Sequence, residues 1–254
     1  MTGIWKKSLL ALGLVATWLL IWETGYRVFG GEDSVGFPSP WSVIESFREG
    51  LFDGSFFSAL AASLLRVGYG FGLALLIGVT LGLIIFSSRF GQWLLGPLVL
   101  GVQSLPSICW MPFAILWFGL NEKAILFIVL MGSVGSICIA TRDGLTQVPN
   151  MYRRVAGTFG ASKWQSLWWV FVPSAMPVFA SGLKQGWSFA WRSLLAGELI
   201  KHVVGVGSQL DESRNNFEYP KMFATMFLIV IASVIVDKLV FGQFEKYVRS
   251  KWGN

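Results

Sequence analysis

The stretch NMYRRVAGTFGASKWQSLWWVFVP, residues 150–173, carries an unusually consistent set of local folding signals. Asn150 follows Pro149 and suits an N-cap, so 151–159 can form a short helix. Gly160 stands where the residue after a helix needs a left-handed backbone. Ser162 and Gln165 have capping-box spacing, which starts a second helix at Lys163. Trp164, Leu167, Trp168 and Phe171 give that helix an apolar stripe at helical spacing. Pro173 is expected to end it, because proline disfavours helical geometry in the residue before it. The reading is helix, glycine turn, helix, each too short to cross a bilayer.

What flanks this stretch is long and apolar. Of 254 residues, 54% are hydrophobic and only 13% charged, against roughly 25% charged in a soluble domain. Too little charge remains to cover a water-facing surface, and too much apolar mass for a disordered chain. Crossing ~30 Å of hydrocarbon takes about 20 helical residues. Apolar segments of that length fall at 8–28, 66–86, 92–118, 122–141, 174–200 and 222–242. The fold class is therefore all-α, a polytopic membrane protein of about six transmembrane helices forming one domain, 1–254. Loop 142–173 and tail 243–254 lie outside the spans. Lys6 and Lys7 before the first span resemble a signal peptide, but Ile21, Trp22 and Glu23 follow instead of a small-residue cleavage site, so an uncleaved anchor is expected.

Charge sets the orientation. With the N-terminus inside, eleven Lys and Arg fall on inside segments and six on outside ones, leaving Arg66 at a boundary and Lys184 and Arg192 within the fifth span. Basic bias of this sign places both termini in the cytoplasm and makes 142–173 the longest inside loop. The net charge of +6 is dispersed and lacks interleaved stacking aromatics, so it does not point to nucleic acid. Cys109 and Cys138 lie in apolar stretches and are expected to pack as small hydrophobes. The segment 41–52, after Pro38 and Pro40, can form a short amphipathic helix on the outside. The tail mixes aromatic and basic residues and suits an interface.

Several stretches resemble one family. Permease subunits of binding-protein-dependent ABC importers carry the loop motif E-A-A-x3-G-x9-I-x-L-P between two late spans. Here Arg154, Val155 and Ala156, then Gly160, then Val170, Phe171, Val172 and Pro173 keep its spacing. Arg154 stands at the glutamate position and Val155 at the first alanine. Leu105-Pro106-Ser107, Met111-Pro112 and 115–120 resemble the third span of the nitrate, sulfonate, taurine and bicarbonate branch. Phe37-Pro38-Ser39-Pro40 and 182–199 resemble its external loop and fifth span.

The resemblance implies a type I ABC importer permease in a bacterial inner membrane, moving a small anion inward. It implies a second permease copy forming a homodimer, an ABC ATPase docked on each coupling loop, and an extracytoplasmic substrate-binding protein. Arg154, Val155, Ala156, Gly160, Ala161, Ser162 and Pro173 form that loop's coupling set. The chain has no Walker A motif and cannot hydrolyse ATP alone; the resemblance implies a transporter subunit that is not an enzyme and binds no cofactor, with ATP and Mg on the partner ATPase. For the loop alone, an interfacial hairpin on lipid headgroups is the other reading.

Ionisable groups inside a bilayer are functional candidates by default. Lys184 and Arg192 are eight residues apart, near one face of the fifth span. Arg192 offers a fork suited to carboxylate, nitrate or sulfonate. Both residues, with Glu198, are pathway candidates; structural pairing or snorkelling is the alternative. Pro106 and Pro112 suggest a broken third span, which adds Ser104, Ser107 and Pro106 to the pathway set. Gly68-x-x-x-Gly72 and Gly78-x-x-x-Gly82 suit close helix packing. A hydrolase is poorly served: His202 is the only histidine, expected at the outer interface, and neither H-E-x-x-H nor G-x-S-x-G occurs. A secondary transporter or channel for small anions, working without an ATPase, is the competing function.

Overall fold

The computed structural model describes residues 2–29, 36–199 and 203–252, and every regular element among them is helical. His202, Lys201 and residues 30–35 of the expected external loop lie outside the described residues. In chain order the helices are α1 (Thr2–Phe29), α2 (Pro40–Phe52), α3 (Ser55–Ser87), α4 (Gly96–Ser104), α5 (Met111–Phe118), α6 (Glu122–Thr146), α7 (Asn150–Thr158), α8 (Lys163–Ser166), α9 (Val172–Glu198), α10 (Val206–Asn215), α11 (Tyr219–Val236) and α12 (Gly242–Trp252). Wide π-helical turns at Gly91–Leu95, Leu167–Phe171 and Asp237–Phe241 lead into α4, join α8 to α9 and join α11 to α12. Among the described residues four helices are long and apolar enough to cross a membrane: Ser55–Ser87, Glu122–Thr146, Lys163–Glu198 and Tyr219–Trp252. Gly91–Ser104 and Ser107–Phe118 reach that length and apolarity only together, as a pair bent by 98°, the geometry of a broken span or a re-entrant loop. The first expected span, 8–28, lies within the 28-residue α1.

The break in the third span falls at Leu105 and Pro106, both extended (ψ 128° and 136°). Pro112 does not kink anything. It occupies the first turn of α5, where its missing N–H has no helical acceptor to lose.

The chain divides into two compact units, Met1–Ala61 with Val204–Val230 and Ala62–Val203 with Ile231–Asn254. In the first unit, Trp22 is buried against Phe223 and Phe227, and its indole N–H donates to the Pro38 carbonyl at 3.1 Å. Ser39 caps α2 by accepting the Ser42 N–H at 3.1 Å, with Pro40 at the helix start. The proline-rich stretch 37–40 thus ends as a helix cap. Beyond α2, the Asp53 carboxylate accepts the Ser55 N–H at 2.8 Å, which holds its carboxyl below the usual carboxylate range.

The second unit is organised around α6. Its most apolar window is 61% buried, against 28% or less for the other spanning helices. On one side, Gly70, Gly78 and Gly82 of α3 meet Val129, Ile137 and Thr141, with fully buried Ala74 between them. These four small residues recur every fourth position. Gly68 and Gly72 face open space instead, so the helix contact lies on the neighbouring register from the expected Gly68–Gly72 pair. On the other side, Gly182 and Gly186 of α9 meet Ala140 and Ile137. Lipid offers no hydrophobic drive for helix association, so backbones that approach closely gain dispersion contacts instead.

A Cβ on Gly82 would lie 2.7 Å from the Cys138 carbonyl oxygen, which cannot move aside cheaply. Gly82→Leu is expected to cost about 1–3 kcal/mol and to lower the thermal midpoint followed by size-exclusion chromatography in detergent. Gly68→Leu is expected to leave that midpoint unchanged.

Candidate functional site

The loop between α6 and α9 is built by backbone chemistry. α7 begins at Asn150, and Pro149 takes the N-cap position (φ −57°, ψ 137°), one residue before the expected cap. Pro149 brings no capping side chain. Its carbonyl accepts the Tyr152 N–H at 3.0 Å, so the helix starts from the proline's fixed geometry. At the other end Gly160 takes φ +70°. Its N–H donates to the Gly157 carbonyl and the Ala161 N–H to the Ala156 carbonyl, both at 3.0 Å. This paired closure is a Schellman motif, and Ala156 at its base is buried. Two residues on, Ser162 Oγ accepts the Gln165 N–H at 3.2 Å while Gln165 Oε1 accepts the Ser162 N–H at 2.8 Å. The capping box is complete.

Pro173 does not end the second helix. Lys163–Glu198 runs as one 36-residue helix. The π-helical turn Leu167–Phe171 shifts the hydrogen-bond ladder, with the Val172 N–H donating to the Leu167 carbonyl, and Pro173 enters just beyond it in the first turn of α9. The proline thus sits where a missing N–H is tolerated. The expected apolar stripe divides. Phe171 is buried with Leu145, Val148 and Ala175, and Leu167 packs beside them. Trp164 and Trp168 stay exposed, together with Trp169. α6 also extends past the expected boundary at 141 to Thr146. The protrusion is accordingly shorter than 142–173, consisting of α7, the glycine turn and the first turns of a spanning helix.

The broken third span meets α9 through hydroxyl groups. Ser193 Oγ lies 2.7 Å from both Ser107 Oγ and the Phe189 carbonyl oxygen. With its proton on the carbonyl, Ser193 accepts from Ser107. Gly132 makes room for this contact, because a Cβ there would fall 2.1 Å from Ser193 Oγ. Ser104 is exposed and donates to the Gly101 carbonyl at 2.7 Å, closing the last turn of α4; Pro106 is exposed. Gln103 Oε1 is buried without a hydrogen-bond partner among the described residues. It borders a cavity of about 240 Å³ between α3, α4 and α6.

Along α9 the three charged candidates have three different surroundings. Lys184 pairs with Asp237 at 3.0 Å, both partly exposed. Arg192 is exposed; its guanidinium donates to Ser188 Oγ at 2.9 Å and lies 5.4 Å from the Phe189 ring centre. Glu198 is fully buried. Its carboxylate accepts from Ser63 Oγ at 2.8 and 2.9 Å and pairs with the Arg66 guanidinium. Arg66, itself 8% exposed, also reaches Glu122 at 3.0 Å in the first turn of α6.

Comparison with known proteins agrees with this geometry. Residues 74–250 match the family model described as the binding-protein-dependent transport system inner membrane component. The chain belongs to that permease family. It is 28% identical over 235 residues to the nitrate import permease protein NrtB of Synechocystis sp., covering 89% of this chain and 84% of that one. Identity to the taurine transport system permease protein TauC of Escherichia coli is 25%, over 91% of this chain and 86% of TauC. In fold, the chain matches a crystallised amino acid ABC transporter chain with a TM-score of 0.64 at 16% identity, covering 79% of this chain and 97% of that one. An ABC importer permease of the nitrate, sulfonate, taurine and bicarbonate branch is thereby shown, and the alternative of a channel or secondary transporter gives way to it.

Within this permease the expected site residues form separate groups. Arg154 through Ser162 gather at the loop tip, Pro173 lies beyond the π-helical turn, and Ser107 joins Ser193 at the break. Lys184, Arg192 and Glu198 do not converge. The residue missed from sequence is Arg66, read only as a boundary charge. Its signal was present: a lone arginine begins an apolar run of twenty residues, and only a carboxylate elsewhere in the chain could balance it.

Removing one partner of a buried ion pair costs roughly 3–5 kcal/mol, while replacing both by apolar groups costs far less. Glu198→Leu is therefore expected to destabilise the permease strongly. The double variant Arg66→Met, Glu198→Leu should recover much of the loss in a detergent thermal-shift assay. Additive losses would show that the pair is not coupled.

Proposed function

We propose that this permease carries a small anion of the nitrate, bicarbonate, sulfonate or taurine class into the cytoplasm, driven by ATP hydrolysis on a partner subunit. The observation that carries the coupling role is the loop: two hydrogen-bonded caps rigidify a tip that continues without a break into a spanning helix. A protrusion of that kind passes on a push where a flexible loop would absorb it. On this reading the tip lies in the cytoplasm, as the basic bias favours, and an ABC ATPase holding ATP and Mg docks against Arg154, Val155, Ala156, Gly160, Ala161 and Ser162. Pro173, set past the π-helical turn, lets the push reach α9. A second copy of the permease completes the pathway, and an extracytoplasmic binding protein delivers substrate.

The anion preference is supported by NrtB and TauC, named for nitrate and taurine, and by Arg192. Its exposed fork can take two oxygens of a planar or tetrahedral anion. Lys184 is balanced by Asp237 and lends less net field, and Glu198 is neutralised by Arg66. The break at Pro106, with Ser104 and Ser107 beside it, gives neutral polar groups along the same route.

Two variants test this. Gly160→Asp strains a left-handed turn and puts a side chain at the docking tip. Membrane insertion should be unchanged, while ATPase co-purification and substrate-stimulated hydrolysis fall by about tenfold, the equivalent of about 1.4 kcal/mol. Undiminished ATPase association with wild-type uptake would sink the coupling role. Arg192→Gln should impair uptake of the cognate anion at limiting concentration far more than at saturation; equal effects at both would remove Arg192 from the pathway.

A further inference from the structure

The loop tip differs from its family motif in charge, and its surroundings make that difference one-sided. Arg154 occupies the glutamate position, and between Asp143 and Glu198 the chain has no acidic residue at all. Arg154 is exposed and makes no ion pair among the described residues. Beside it, Met151, Val155 and Phe159 are 65%, 46% and 85% exposed. Spaced every fourth residue, Met151 and Val155 on α7 and Phe159 at its C-cap form one apolar ridge, while Ala156 turns inward and is buried. Lys163, also exposed, stands just past the glycine turn.

We propose that the ATPase docking on this permease receives α7 in an apolar groove whose rim places a carboxylate opposite Arg154, a polarity inverted relative to a glutamate-bearing tip. The inference rests on the importer reading above and names the chemistry of its partner. A protein cleft suits the ridge better than a lipid surface does. The ridge is three side chains long, on a helix of nine residues fixed by caps at a protruding turn. Binding to headgroups scales with the apolar area buried and with attraction to anionic lipid; three side chains bury little area on a flat surface, whereas a groove can enclose Phe159 on several sides. An exposed arginine next to such an anchor selects a partner by charge more than it adds affinity, and its contribution is screened by salt.

The test uses the full permease in discs of pure phosphatidylcholine, with the ATPase encoded alongside it and retention measured against NaCl. Wild type should lose affinity several-fold between about 50 and about 500 mM NaCl. Arg154→Glu should bind roughly tenfold more weakly at low salt, with a flattened salt dependence. Arg154→Lys should stay within about twofold of wild type, and Arg154→Gln should fall between, which separates charge from misfolding. Equal retention by wild type and Arg154→Glu overturns the inference alone. An Arg154 effect that appears only when phosphatidylglycerol is added to the discs assigns the tip to lipid and overturns it as well. A wild-type permease that retains no ATPase at any salt overturns the importer reading too.

Discussion

Helices surrounded by hydrocarbon gain little by hiding leucine from it, so what holds this permease together is how near its backbones can come. The α6 helix meets small residues on two sides, Gly70, Ala74, Gly78 and Gly82 from α3 and Gly182 and Gly186 from α9. Everything proposed to work in this protein is attached to that clasp. The serine contact between the broken third span and α9 exists because Gly132 leaves room for it. The buried Arg66–Glu198 pair ties α3 to α9 beside α6. A buried ion pair adds little net stability, yet it tolerates no slip in register. Close packing therefore supplies the attraction, and the ion pair fixes which residues face each other.

Much of the loop was legible in the sequence because its determinants are local. A glycine after a helix and a serine three residues before a glutamine act over one turn, and both formed as read. Two other local expectations failed for a common reason. Asn150 was read as the cap and Pro173 as a helix end, and in each case proline's rigid φ was placed correctly but its helical position was not. Pro149 serves as the cap itself, and a π-helical turn brings Pro173 into a first turn where it costs nothing. Sequence spacing carries no mark of a five-residue turn, so such a shift is hidden until the backbone is seen.

Tertiary pairing was less legible. Gly68-x-x-x-Gly72 and Gly70-x-x-x-Ala74 overlap, and both satisfy the small-residue spacing; which one meets a helix depends on where α6 lies. Likewise the charges at 184, 192 and 198 could be ranked only by position along one helix. Their partners, Asp237 for Lys184 and Arg66 for Glu198, sit 53 and 132 residues away in sequence. Composition announced that few charges were present, but not that two of the three on α9 were already balanced.

That balance sharpens the role left to Arg192. A fixed positive charge beside a pathway attracts an anion, but one held too firmly would trap it. Lys184, midway along α9, is paired with Asp237, and Glu198 at its end shares Arg66 with Glu122. Of the three charges on α9 only Arg192 has no counter-ion among the described residues, and on the proposed pathway it would meet the anion softened by Ser188 and the Phe189 ring. The same helix is the one that begins in the loop, 36 residues from Lys163 to Glu198 and roughly 54 Å at 1.5 Å per residue. Motion of the tip therefore need not be relayed to Arg192 through side-chain contacts. On the proposed coupling it would travel along one helix, whose hydrogen-bond ladder is interrupted at the π-helical turn Leu167–Phe171 and again at Pro177.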